Sequence, residues 1–353
     1  MYEEGKAIIV ERPKQAVIKP IRLPEVDEET VVVKTHYSGI SSGTEMKVWS
    51  GLSGHLEGKL WYPVVPGYEE VGEVVYVGKD APPTATGEPL KVGDRVMANE
   101  VRYYPDYCAA WGGQVEYAIK NPTTAAAPFD LCAKIPDKVS YREAVVAYLA
   151  CVAQKGIDKV GIKEGETVLV IGMGNIGLSA LQLIQLKGAG KVIAMDNQPS
   201  RLSLAGKYTE HLIDASKSDA LAQLKDRTDG RLADVVFECS GNPQVAAETH
   251  RYLRDGGWDK EDEGGRIHLQ GDYPASIVLH PYQRWFTKNL SLSMTCALKP
   301  GNKEYILQLI REDKFDARSL YTKECSIEEA PKAYEELDHN RYDILKILFR
   351  WIE

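Results

Sequence analysis

The stretch Thr167-Val168-Leu169-Val170-Ile171-Gly172-Met173-Gly174-Asn175-Ile176-Gly177 decides the fold. Its first five residues read as a continuous apolar run, the pattern of a strand buried on both faces of a parallel sheet. Apolar residues at Ile176, Leu181, Leu183 and Ile184 then predict a helix over 176–187. Between strand and helix lies Gly-x-Gly-x-x-Gly. Gly172 allows the tight turn, Gly174 lets the backbone approach a pyrophosphate, and Gly177 lets helix and strand pack closely. Phosphates at such a turn meet free N–H groups and the positive end of the helix dipole, so Asn175 and Ile176 join the glycines as cofactor-side residues.

The next predicted strand, Lys191 to Met195, ends in Asp196, 19 residues after Gly177. A carboxylate there accepts hydrogen bonds from both ribose hydroxyls of NAD and repels a 2′-phosphate. Asn197 and Arg201 follow on the same side, and Arg201 leaves some NADP use open. A plainer reading, that the glycines only build a turn, loses ground because strand, motif, helix and acid all agree.

Further apolar strands are predicted at Leu212-Ile-Asp, Asp234-Val-Val-Phe-Glu and Gly265-Arg-Ile-His-Leu-Gln. Strands alternating with helical patterns mean βαβ units and a doubly wound parallel sheet over 149–297. Residues 1–148 differ. Short runs such as Thr30-Val-Val-Val-Lys-Thr and Val71-Gly-Glu-Val-Val-Tyr-Val, separated by Gly and Pro, predict an irregular, mostly antiparallel β domain. Residues 298–353 resume a mixed character, with a helix around 328–337 and a strand in Ile344-Leu-Lys-Ile-Leu-Phe.

Composition fits this two-domain α/β reading. The 353 residues are 44% hydrophobic and 27% charged, which excludes a disordered or low-complexity chain. Forty-three basic against 51 acidic residues give a net charge of −8. No dense Lys/Arg run appears, so neither nucleic acid nor an anionic membrane is an expected partner. The first residues lead into no apolar core, so no secretory signal is read, and no apolar stretch approaches the length of a membrane span. Six scattered cysteines predict reduced thiols in a cytoplasmic protein.

Several segments, in order, are similar to those of the medium-chain dehydrogenase/reductase superfamily, the alcohol dehydrogenase-like proteins. Pro66-Gly67-Tyr68-Glu69-Glu70-Val71-Gly72-Glu73-Val74 resembles its Pro-Gly-His-Glu-x-x-Gly-x-Val segment. Val92-Gly93-Asp94-Arg95-Val96 resembles its Gly-Asp-Arg-Val turn, and Gly112-Gly113-Gln114-Val115-Glu116-Tyr117 its Gly-Gly-x-x-Glu-Tyr. Ser240-Gly241 and Gly264-Gly265-Arg266 sit where the family has later cofactor-side turns. The resemblance implies a GroES-like β-rich catalytic domain (1–148, completed by 298–353) and a Rossmann NAD-binding domain (149–297). It also implies a homodimer or homotetramer, with the segment after Trp285, Leu290-Ser-Leu-Ser-Met, as an edge that pairs between subunits.

Zinc members of the family hold a catalytic ion with a Cys in Gly-Ile-Cys-Gly-Thr-Asp and the His of Gly-His-Glu. This chain carries Gly39-Ile40-Ser41-Ser42-Gly43-Thr44-Glu45 and Tyr68 instead. Hydroxyl and phenol are poor zinc ligands beside thiolate and imidazole. Cys151, near the third ligand position, and Glu69 do not make a site by themselves. The structural zinc lobe is reduced to Cys108. No metal is therefore expected. The serine-rich motif is similar to that of the bacteriochlorophyllide hydroxyethyl dehydrogenases, a branch that oxidises a secondary alcohol.

Without zinc, hydroxyls must polarise the substrate oxygen and conduct its proton. Thr44 resembles the family's relay hydroxyl. Tyr68 stands in the histidine's place, either as donor or as filler of the space zinc left. Ser41 is an alternative acid or a turn residue, Glu69 a neighbour able to shift a pKa, and Lys47 a relay end or a solvated cation. His36 reads as a packed core histidine. Trp49, Tyr62, Tyr103, Tyr104, Tyr107 and Trp111 line a pocket for a ring-shaped or sugar-like substrate or form the core of the β domain. Three functions follow: an NAD(H)-dependent oxidoreductase on a secondary alcohol, an NADPH-dependent quinone or enoyl reductase, and a non-enzymatic dinucleotide sensor. Asp196 disfavours the second.

Overall fold

The computed structural model describes residues 2–53, 56–122, 130–217, 219–257 and 264–352. The chain divides into two units, Met1–Cys151 with Lys299–Glu353, and Val152–Leu298. A long helix, Tyr141–Val160, carries the chain from the first into the second.

In the second unit the strands β10 (Thr167–Ile171), β11 (Lys191–Asp196), β12 (Leu212–Asp214), β13 (Val235–Glu238), β14 (Arg266–Leu269) and β15 (Ser291–Met294) form one sheet. Every pairing in it is parallel. Its spatial order is β12-β11-β10-β13-β14-β15. Chain order therefore reverses between β10 and β13, and doubly wound sheets bind ligands at that switch point. The predicted helix forms over Asn175–Leu186 and buries Leu178, Leu181, Leu183 and Ile184. β10 has four consecutive buried residues, as its unbroken apolar run requires.

The first unit is built on two sheets. One has the order β2-β1-β4-β7, with β1 (Glu4–Arg12), β2 (Gln15–Arg22), β4 (Val64–Val65) and β7 (Cys108–Ala109). The other runs β16-β17-β3-β5-β6-β9, with β8 also paired to β3. Its strands are β3 (Val31–Gly39), β5 (Glu69–Val77), β6 (Arg95–Met97), β8 (Tyr117–Lys120), β9 (Ala133–Lys134), β16 (Lys323–Ser326) and β17 (Ile347–Arg350). Antiparallel pairing dominates, and β4–β7 and β16–β17 are parallel. β17 pairs with β3, so the C-terminal segment completes this sheet. The strand expected from Ile344 begins three residues later, because Leu345 N–H is taken by the Thr322 hydroxyl before the ladder starts. The helix Ala330–His339 packs Ala333, Tyr334 and Leu337 into a core with Ile8, Trp49 and Phe349.

Two expectations need correcting. His36 is half-buried rather than a core residue, because it lies on the face of β3 where it stacks on Tyr141 at 4.4 Å. The aromatics of the β domain do not act as one group. Trp49 and Tyr104 are core residues, Tyr103 is exposed, and Tyr62, Tyr107 and Trp111 are half-buried.

Among the described residues no helix is long and apolar enough to cross a membrane.

Candidate active site

The antiparallel register of β3 and β5 sets Gly39 opposite Glu69. One step further along each strand, Ile40-Ser41 must therefore face Tyr68. The hydroxyls of Ser41 and Tyr68 share a hydrogen bond. The Thr44 hydroxyl, at the start of the helix Thr44–Ser50, also bonds the phenol. Ser41, an acid or a turn residue by its sequence, is engaged with the phenol. Tyr68 is buried, with Trp111 edge-on to its ring at 5.0 Å and Tyr148 tilted against it at 5.0 Å. Burial, reinforced by the neighbouring Glu69 carboxylate, holds the phenol's pKa far above its ordinary value. The phenol therefore keeps its proton, and either it or the Ser41 hydroxyl can be the donor in the bond between them.

Glu69 does not join this hydroxyl cluster. It forms a fully buried ion pair with Lys346, which also reaches the Ile40 carbonyl at 3.4 Å. Burial pushes the Glu69 carboxyl up and the Lys346 ammonium draws it back. Removing one member of such a pair costs about 3–5 kcal/mol, since the other charge is stranded. Lys346 escaped sequence reading. Its one signal was a lysine inside the apolar run 344–349.

A second buried carboxylate, Glu45, lies behind Ser41. Its oxygens accept the Ser41 N–H at 3.1 Å, the Gln114 amide at 3.0 Å and the Tyr334 hydroxyl. Gln114 is fixed in turn by the Ser38 hydroxyl at 2.6 Å and donates to the Gly39 carbonyl at 3.2 Å. Lys47 sits half-buried one turn beyond Thr44. Cys151 lies fully buried in the helix Tyr141–Val160, its thiol pushed well up by burial. Among the described residues no group of three or more His, Cys, Asp or Glu side chains converges, so Cys151 and Glu69 are not brought into one ligand set. The loop with Cys108 is closed by the Tyr104 hydroxyl on the Gly112 carbonyl at 2.6 Å.

The second unit presents the glycine turn at its switch point. Gly172 has φ +89°, and a Cβ there would lie 2.6 Å from the Ser240 nitrogen at the end of β13. A Cβ on Gly177 would lie 1.9 Å from the Gly172 carbonyl oxygen. Gly174 is different: its Cβ would meet nothing within 4 Å. The chain leaves that space open in front of the uncapped start of helix Asn175–Leu186, which fits a pyrophosphate. Asp196 ends β11 and accepts the Met173 N–H at 2.6 Å and the Gln198 N–H at 2.8 Å. Asn175 is buried, Ile176 half-buried and Asn197 exposed. Ser240 accepts the Asn242 N–H at 3.1 Å, and Gly241 has φ +67°. Arg201 is buried.

Residues 27–137 match the alcohol dehydrogenase GroES-like domain, and residues 175–258 match the zinc-binding dehydrogenase domain. The chain belongs to the medium-chain dehydrogenase/reductase superfamily. It is an oxidoreductase of the alcohol dehydrogenase type. A zinc-type alcohol dehydrogenase-like protein of Haemophilus influenzae is 27% identical, over 98% of this chain and 99% of that protein. A probable D-xylulose reductase A of Aspergillus clavatus is 29% identical, over 95% and 94%. Among solved structures, 2R,3R-butanediol dehydrogenase from Bacillus subtilis shares the fold with a TM-score of 0.80 at 23% identity, over 99% of this chain and 100% of that one.

Two tests follow from this geometry. Burial raises the Glu45 carboxyl to about 7 from an ordinary 4.5, with the Tyr334, Ser41 and Gln114 hydrogen bonds pulling the other way. The folded state therefore holds this proton where the unfolded state has released it. Stability is full below about pH 4.5 and falls as pH rises through 7, by about 3 kcal/mol at 1.36 kcal/mol per unit. Urea unfolding of Glu45→Gln should lose this component of the pH dependence, and an identical slope in both proteins would refute the assignment. In the glycine turn, Gly174→Ala should fold normally yet bind NADH roughly tenfold or more weakly, because its methyl fills the pyrophosphate space. Gly177→Ala should instead lower the melting temperature. Wild-type NADH affinity in Gly174→Ala would exclude a phosphate there.

Proposed function

We propose that this chain interconverts a secondary alcohol and its ketone with NAD(H) and without a catalytic metal, using the Tyr68 phenol as electrophile. The observation that carries the reading is the buried Tyr68 hydroxyl, hydrogen-bonded to Ser41 and Thr44 where zinc relatives have an imidazole. The donor set does not fit zinc. A phenol held protonated, a serine, a buried neutral thiol and a carboxylate already paired with lysine offer no tetrahedral thiolate–imidazole cage. The named activities of the relatives, D-xylulose reductase and 2R,3R-butanediol dehydrogenase, support a secondary alcohol such as a polyol, cyclitol or other ring-bearing substrate.

When bound, nicotinamide gives hydride to the carbonyl carbon or takes it from the alcohol carbon. In ketone reduction, Tyr68 donates to the carbonyl oxygen and stabilises the charge developing on it. Its proton passes to that oxygen as the C–H bond forms, and Ser41 and Thr44 return a proton to the phenol. In alcohol oxidation Tyr68 passes its own proton to the Ser41 and Thr44 hydroxyls as it accepts the substrate's, so the phenol is never ionised, and Lys47 is the exit. Glu69 acts indirectly: paired with Lys346, it keeps the adjacent phenol protonated. Asp196 at the end of β11, beside the glycine turn, supports NAD over NADP. Six free thiols support a reducing, cytoplasmic setting.

The test is oxidation of xylitol, sorbitol, 2R,3R-butanediol and cyclohexanol with NAD⁺ and NADP⁺. Wild type should turn over at least one with NAD⁺, and Tyr68→Phe should lose roughly 10²-fold or more in kcat with its melting temperature kept. Stoichiometric zinc in active protein would defeat the metal-free reading. Tight NAD binding with no turnover would favour the sensor instead.

A homodimer or homotetramer is proposed alongside. β15 is the edge of the parallel sheet, Leu292 and Met294 on it are exposed, and Leu292 lines a hollow with Tyr282 and Phe286. An unpaired edge with apolar side chains suits a second copy of the same edge. Sedimentation should show the wild type as an oligomer and the double variant Leu292→Lys, Met294→Lys as a smaller species. A monomeric wild type would overturn this.

A further inference from the structure

Asn99 is a buried residue that neither the hydroxyl cluster nor the cofactor turn uses directly. Its backbone has φ +63°, in the left-handed region that non-glycine residues seldom adopt. Strain of this kind persists where the surroundings over-determine it. Here they do. The Asn99 amide nitrogen donates to the Tyr68 carbonyl at 3.1 Å, and the amide oxygen accepts from the Lys303 ammonium at 3.1 Å. The Asn99 N–H adds a bond to the Glu70 carbonyl at 3.3 Å. Lys303 is itself buried, and its other bond goes to the Leu131 carbonyl at 2.6 Å. One side chain thus ties the peptide of Tyr68 to a cation from the C-terminal segment. Trp111, edge-on to the phenol ring at 5.0 Å, also has positive φ, +68°. One residue of positive φ thus bonds the Tyr68 peptide and another packs on its ring.

A tyrosine that merely filled vacated space would not need this. Packing alone would hold its ring, and its backbone would be held by the β5 ladder that begins one residue later. We propose that Asn99, anchored by Lys303, is a positioning residue that fixes the Tyr68 peptide and so aims the phenol at the substrate oxygen. This inference rests on Tyr68 being the hydrogen-bond donor proposed above.

The variants separate positioning from folding. Asn99→Gly adopts φ +63° at no steric cost and removes only the bridge. Asn99→Asp keeps an acceptor for Lys303 but sets an oxygen against the Tyr68 carbonyl. With NAD⁺ and whichever of xylitol, sorbitol or 2R,3R-butanediol turns over fastest, both should lose roughly tenfold or more in kcat with little change in KM. In a Tyr68→Phe background, Asn99→Gly should cost nothing further, since the group it aims is gone. A second readout needs no substrate or cofactor: 3-fluorotyrosine placed at position 68 should give one narrow ¹⁹F resonance in wild type and a shifted, broadened one in Asn99→Gly. Wild-type kcat in Asn99→Gly, or an unchanged resonance, would overturn the proposal. If Tyr68→Phe keeps wild-type turnover, the donor reading falls and this inference with it. If Tyr68→Phe loses turnover while Asn99→Gly keeps it, only this inference falls.

Discussion

The pairing of β3 with β5 is the constraint on which the catalytic unit depends. Because Gly39 faces Glu69, the turn after β3 and the residue before β5 are forced together, and Ser41 meets Tyr68. The same pair gives Glu69 its position, and β17, added on the other side of β3, delivers Lys346 to it. A slip of one residue would turn every side chain of the strand to the opposite face. Tyr68 and Glu69 would then exchange places, leaving a carboxylate among hydroxyls and a phenol against a buried ammonium. Register here determines which chemistry the site can perform.

Electrostatics then divide the labour. Two carboxylates, Glu45 and Glu69, are buried near Tyr68, and one lysine lies between them and neutrality. The more strongly paired of them, Glu69, has its cation. Glu45 has only neutral donors, and its proton is therefore the easier to keep. Both effects bias the neighbourhood against a phenolate. A zinc site needs the opposite bias, towards anionic ligands around a dication. The exchange of Cys and His for Ser and Tyr is consistent with a shift in the whole surrounding field rather than with two isolated replacements.

Much of the cofactor unit was legible in the sequence, because its signals are local. An apolar run, a three-glycine turn and a periodic helix all lie within twenty residues, and each constrains the next. Tyr68 and Ser41 were legible as departures from a known pattern at known places, and Thr44 as a match to it. Glu45, Asn99 and Lys346 were not. Their meaning comes from partners far along the chain: Tyr334 lies 289 residues from Glu45, Lys303 lies 204 from Asn99, and Lys346 lies 277 from Glu69. A lysine in an apolar run reads as the solvent side of a strand until a carboxylate is seen across from it. His36 was misread for the converse reason, since strand membership alone does not tell which face carries it.

The Glu69–Lys346 pair also has a consequence for how the protein is made. During synthesis Lys346 follows Glu69 by 277 residues. Everything needed for the doubly wound sheet, from Thr167 to Met294, leaves the ribosome in between. The parallel sheet can therefore form before the Glu69 carboxylate has a cation to pair with. The β-rich unit therefore closes over Glu69 only when its final strand is made.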